Sequence, residues 1–167
     1  MSASPDQMKQ ALEQVKFSEE QFRKSLERTL ELLKRIHIEQ KVDELVKRAG
    51  EMKKEQQALR EEAKQSKPAD QKKQDELAQQ QQDLAKKAES LEKETGDLQK
   101  KMEEFPKEMP LEEMAKAQKR LQDSQLQKKM QKSSRQMQSG EMQDAGENQQ
   151  QSEKDLSDFQ QEMEQVQ

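Results

Sequence analysis

Cysteine is absent from the sequence, so the chain forms no disulfide, holds no metal through thiolates and uses no thiol nucleophile. Tryptophan and tyrosine are absent too, and there are only four phenylalanines. A compact globule of 167 residues would need a large apolar interior, yet only 28% of this chain is hydrophobic and 40% is charged. Such a composition leaves either a disordered polymer or elongated helices that share a thin core. The four glycines are scattered, and none forms the Gly-rich loop that cradles phosphates. Charge of a single sign is lacking as well. The 31 basic and 35 acidic residues are well mixed and sum to −4, so no basic face is available and no nucleic-acid partner is expected. No apolar run approaches the ~20 residues of a membrane span, which argues against direct membrane insertion of this segment. The first ten residues, MSASPDQMKQ, carry no apolar signal core.

Periodicity decides between the two options, and it favours helices. From Ile38 the apolar positions advance by alternating steps of four and three: Ile38, Val42, Leu45, Ala49, Met52, then Gln56 and Leu59. This is a heptad seam. Further on, Leu77, Leu84, Leu91 and Leu98 recur every seven residues, with Gln74, Gln81, Ala88, Thr95 and Met102 at the companion positions. Glutamine, roughly a sixth of the chain, is a fair helix former that stays polar without adding charge.

Local signals divide the chain. Ser4, Pro5 and Gln7 match a helix start with a capping box, and Ser18 with Gln21, flanked by Phe17 and Phe22, repeats the pattern with a hydrophobic staple. A short N-terminal helix over 1–17 is therefore expected to end near Phe17. Pro68 marks a turn near 66–70 inside a helical hairpin over 18–105. Pro106 and Pro110 mark the next break. A weaker, Met/Gln-rich hairpin then covers 106–167, its turn near 139–141 at the C-cap signal Ser139-Gly140. The expected fold is all-α, built of elongated antiparallel helical hairpins of coiled-coil type, with a partly loose last third.

Two heptad helices joined by a short loop fold back antiparallel. A turn at Pro68 places Ala49 near Leu84, Leu45 near Ala88 and Val42 near Leu91, and a register slid by one heptad gives acceptable layers as well. Glutamines at 56, 74 and 81 are expected to weaken the pairing near the loop. The stretch LELLKRIHI, apolar on several sides, is expected to be the best-buried point. The predicted helix–helix seam consists of Ile38, Val42, Leu45, Ala49, Met52, Leu59, Leu77, Leu84, Ala88, Leu91, Leu98 and Met102.

Candidate chemistry is thin. His37 stands alone, and Lys34 occupies the position where an acid would complete an ExxH pair. One histidine cannot supply the paired Glu-x-x-His motifs of a carboxylate-bridged metal site in a bundle. The ten methionines could bind Cu(I) through soft thioethers, but such residues more often fill irregular cores or line adaptable binding surfaces. No cofactor, metal site or catalytic constellation is expected, and the chain is read as a non-enzyme.

The stretch SLERTLELLKRIHIEQKVDELVKRA, residues 25–49, resembles a segment of an uncharacterised family of large bacterial envelope proteins. Those chains are membrane-anchored near the N-terminus and carry long Gln/Glu/Lys-rich helical regions. The later MQSGEMQDAGENQQQ, residues 137–151, is similar in style. The resemblance implies a periplasmic or envelope-associated location, with the anchor outside this segment; otherwise a cytoplasmic one. It supplies no activity and no functional residues. The leading expectation is a non-catalytic interaction or spacer region of a larger protein, which meets a protein partner or itself through helix seams. The alternative is a holdase that grips unfolded clients between helical arms, motivated by the methionines of the second half.

Overall fold

The computed structural model describes residues 4–67, 69–105 and 109–167. The fold is all-α: five helices, with no strand among the described residues. They are α1 (Pro5–Gln65), α2 (Gln71–Glu103), α3 (Leu111–Ser124), α4 (Leu126–Gln138) and α5 (Met142–Glu164). Two compact units divide the chain, Met1–Glu39 and Gln40–Gln167.

The first unit is helical from Pro5 onward and opens with the predicted capping box. The Ser4 backbone N–H donates to Gln7 Oε1 at 3.0 Å, and the Gln7 N–H donates to Ser4 Oγ at 3.3 Å. The expected break near Phe17 is not present, because α1 runs through it. Ser18 and Gln21 could cap a helix, but neither forbids one; no glycine or proline interrupts residues 6–49. Residues 5–17 are thus part of α1 and not a separate helix.

The second unit packs four helical arms around one core: residues 40–65 of α1, then α2, the α3–α4 pair, and α5. Neighbouring arms run antiparallel, as their cross-links show. Arg48 pairs with Glu94, Glu55 with Lys87 and Glu62 with Lys73, so numbers rise along α1 as they fall along α2. Arg60 meets Glu153 and Lys53 meets Ser157 across α1 and α5. Lys129 meets Asp155 across α4 and α5. The predicted turn at 66–70 is flanked by the end of α1 and by Asp70, whose carboxylate accepts the Lys73 N–H at 3.1 Å as N-cap of α2; Pro68 itself lies outside the described residues, as do Pro106, Lys107 and Glu108.

The pairs Arg48–Glu94 and Glu55–Lys87 lie near the register slid by one heptad, away from the one that sets Ala49 beside Leu84. Were Ala49 level with Leu84, Gln56 would face Leu77. Instead Gln56 bonds Gln81, four positions further along α2. Four arms enclose this core, and polar side chains that can satisfy one another set the level.

The arm following Met109 is not one helix, as the first arm of the hairpin expected over 106–167 would be. Gln125 adopts the left-handed conformation, with φ 49° and ψ 40°, and separates α3 from α4. The cause lies in the spacing of the apolar stripe. From Leu121 to Leu126 is five residues, a rotation of about 500°, so in one continuous helix Leu126 would point about 140° away from Leu121. The break brings both stripes inward: Leu121 and Leu126 are 1% and 2% exposed. At the far end of α4 the Ser139-Gly140 signal is realised as a Schellman motif. Gly140, at φ +82°, donates to Met137 O, and Glu141 donates to Gln136 O at 2.8 Å.

Packing of the last third differs from the looseness expected of it. Met114, Met130, Met137, Leu156, Phe159 and Met163 are fully buried. Its partner is within the chain. The adjacent serines of α4 point to two different neighbours: Ser133 Oγ donates to Ala145 O of α5, and Ser134 Oγ to Ala78 O of α2, at 3.0 and 2.7 Å. Consecutive helix positions differ by about 100°, so a pair of small hydroxyls lets both flanking backbones come close.

Candidate functional site

All twelve predicted seam residues, Ile38 to Met102, are buried, none more than 4% exposed. They form core, so they offer no surface to an outside partner in this state. Sequence periodicity did not disclose the polar cluster set among them. Gln56 and Gln81 exchange amide bonds at 2.9 and 2.8 Å, and Gln149 Nε2 adds a third bond to Gln81 Oε1 at 2.9 Å. All three residues are fully buried, and Gln149 Oε1 has no protein partner. Two of the glutamines expected to weaken the loop end, Gln56 and Gln81, thus bond each other, and Gln149 joins them from a third arm. Glutamines at seam positions, Gln56 in one helix and Gln81 in the next, were the signal available from sequence, and Gln149, which bonds Gln81, lies 68 residues further along.

Ion pairs fasten the arms at the rim. Arg60 forms a two-pronged contact with Glu153 at 3.1 and 2.9 Å, its carboxylate side chain only 12% exposed. For Glu94, burial acts to raise the carboxyl pKa, but hydrogen bonds from Ser90 and Arg48 outweigh it and hold the group below its usual range. Among the described residues, no group of three His, Asp or Glu side chains is placed to hold a metal ion. His37 is exposed. Two open clefts are lined by mixed charge. One of about 610 Å³ runs along Glu89, Lys93, Gly96 and Gln118; another of about 460 Å³ lies beside Arg60, Ser66, Asp144 and Gln149. Neither brings a nucleophile to a base.

What stands out chemically is the first unit. Met8, Leu12, Val15, Phe17, Phe22, Leu26, Leu30, Leu32 and Leu33 are each 54–66% exposed, and Ile36 is 39% exposed. The stretch LELLKRIHI, expected to be the best-buried point, is therefore largely open: of its apolar residues only Ile38 is buried. Length supplies the reason. At 61 residues α1 outlasts α2, the longest of the other helices, which has 33. Isolated exposed leucines are ordinary, but a run of ten large apolar side chains on one helix is a patch that marks contact with something else. The methionines give no comparable surface, since five of them in the second half are at 0% exposure.

Fold and site together define an all-α protein with a four-armed packed unit and a helix bearing an open apolar stripe. No protein-family model, curated protein or solved structure matches the chain. No helix, among the described residues, is long and apolar enough to cross a membrane.

Proposed function

We propose that this chain is a non-catalytic helical interaction region of a larger, envelope-associated bacterial protein. In this reading the four-armed unit is a structural body and residues 5–39 are its docking element. One observation carries it: ten large apolar side chains lie open along a helix that begins with a formed capping box. Thirty-five helical residues extend about 52 Å at 1.5 Å per residue, long enough to serve as spacer and contact strip together. The methionine surface that motivated a holdase is packed into the core, so that reading has no separate support here.

A photo-cross-linking amino acid tests the proposal. Placed at Leu26, on the stripe, it should form a covalent adduct with a protein in the native host. Placed at Glu31, it should not. Equal yields from both positions, or none from Leu26, would refute a docking role.

A further inference from the structure

The open stripe keeps the four-and-three spacing of the covered core, but its apolar side chains lie exposed. Steps of four and three run through Met8, Leu12, Val15, Glu19, Phe22, Leu26, Thr29, Leu33 and Ile36. Only Glu19 and Thr29 interrupt the apolar series. Their positions identify an occupant when each possible pairing is laid out.

In a parallel pair of identical helices, each seam residue meets its own copy. Glu19 would then face Glu19 of the second copy in the middle of the strip, a like-charge contact between desolvated carboxylates. An antiparallel pair centred on Lys24 removes that conflict. Leu12 then meets Ile36, Val15 meets Leu33 and Phe22 meets Leu26, each twice. Glu19 falls opposite Thr29, so the two polar interruptions coincide; the hydroxyl, which in the single chain donates to Ser25 O at 2.9 Å, would turn to the carboxylate in the pair. The flanks agree. Lys9 and Lys16 fall beside His37 and Leu30 of the other copy, where the lysine stem covers apolar surface. Ser18 falls beside Leu32. At the centre Arg23 meets Arg23 on one flank and Ser25 meets Ser25 on the other; the arginine contact is on the solvent side, where salt screens it.

The available area is sufficient. Eight apolar side chains (the six just paired, with Leu30 and Leu32) each present on the order of 100 Å², hence on the order of 800 Å² per copy, the share expected of one partner in a stable interface. From this self-complementarity we infer that the occupant of the stripe is a second copy of the same helix, antiparallel and centred on Lys24. The inference rests on the docking role proposed above and names its partner.

Absence of cysteine makes a single spin label on the full chain straightforward. Gln10→Cys lies on the outer side of the helix. In the antiparallel dimer Gln10 stands level with residue 38 of the other copy, so two labels are 28 residues, or about 42 Å, apart along the axis. Dipolar spectroscopy should give a distribution centred near that value, and sedimentation equilibrium should give twice the 19.6 kDa chain mass. Leu26→Asp should weaken the dimer at least about tenfold, since it strikes two contacts with Phe22. The helical signal of the packed unit should be unaffected. A label separation below about 30 Å, the span across two helices side by side, would mean parallel pairing and overturn the inference, as would a single-chain mass at concentrations up to ~100 µM. A monomer that still cross-links another protein through Leu26 ends the self-association inference and leaves the docking role standing. A monomer with no adduct ends both.

Discussion

Replacing Gln81 with leucine should destabilise the packed unit far more than its size and polarity suggest. Gln81 is the hub of the amide cluster, bonded twice to Gln56 and once to Gln149. The substitution strands Gln56 Nε2, Gln56 Oε1 and Gln149 Nε2 in a region with no solvent access. A buried polar atom left unpaired costs about 1–3 kcal/mol, against which the added leucine returns roughly 1–2 kcal/mol of apolar burial. With three atoms stranded, the net expectation is a loss of about 1–8 kcal/mol. For a chain of this size, about 3 kcal/mol corresponds to a fall of roughly 6–12 °C in Tm. Urea titration followed by circular dichroism at 222 nm measures it directly. The triple replacement of Gln56, Gln81 and Gln149 by leucine removes every stranded atom and should return close to the starting stability. A single Gln81→Leu variant at least as stable as the parent would refute the account, because it would mean the three amides contribute no mutual satisfaction.

Other predictions follow from the same structure. Leu45, 1% exposed, should cost about 2–5 kcal/mol when truncated to alanine, whereas Leu30, 54% exposed, should change the unfolding midpoint of the packed unit by less than about 0.5 kcal/mol; parallel urea titrations compare them. Gly140→Ala should destabilise by about 1 kcal/mol, because a side chain is strained at φ +82°, while Gly146→Ala, in an α5 position with nothing within 4 Å, should stabilise by up to about 1 kcal/mol. Glu94 binds its proton less readily folded than unfolded, so its contribution is present above the ordinary carboxylate value of 4.5 and is lost as pH falls through the lower folded value. Thermal melts should therefore be flat from neutral pH to about 5 and fall below it, and Glu94→Gln should flatten part of that fall; an unchanged acid limb would show that the Arg48 and Ser90 contacts carry no linkage.

Much of this fold was legible in short windows of sequence. The heptad positions from Ile38 to Met102 are buried as a core stripe must be, and the Ser4 and Gly140 signals made the local hydrogen bonds their types require. These are properties of a few adjacent residues. Features that depend on what lies across the core were not legible in that way. Phe17 and Ser18 looked like a start, yet a capping signal only permits an end and α1 had no reason to stop. The level at which α1 meets α2 is set by Gln56 finding Gln81 and Gln149, and that involves a third arm. The break at Gln125 had no glycine or proline to announce it, although the phase slip between Leu121 and Leu126 was visible in the spacing. For the open stripe, the apolar pattern was plain, but whether any helix of the chain would cover it depended on relative lengths.

The left-handed residue at Gln125 has a consequence for how the third arm comes apart. Its hydrogen-bond ladder is interrupted there, so the 14 residues of α3 and the 13 of α4 do not support one another through the backbone. Each must nucleate and be held by its own contacts, α3 by Met114, Ala117 and Leu121, and α4 by the paired serines and Met130. Amide exchange should accordingly divide into two blocks meeting at Gln125, each releasing its deuterons at its own rate.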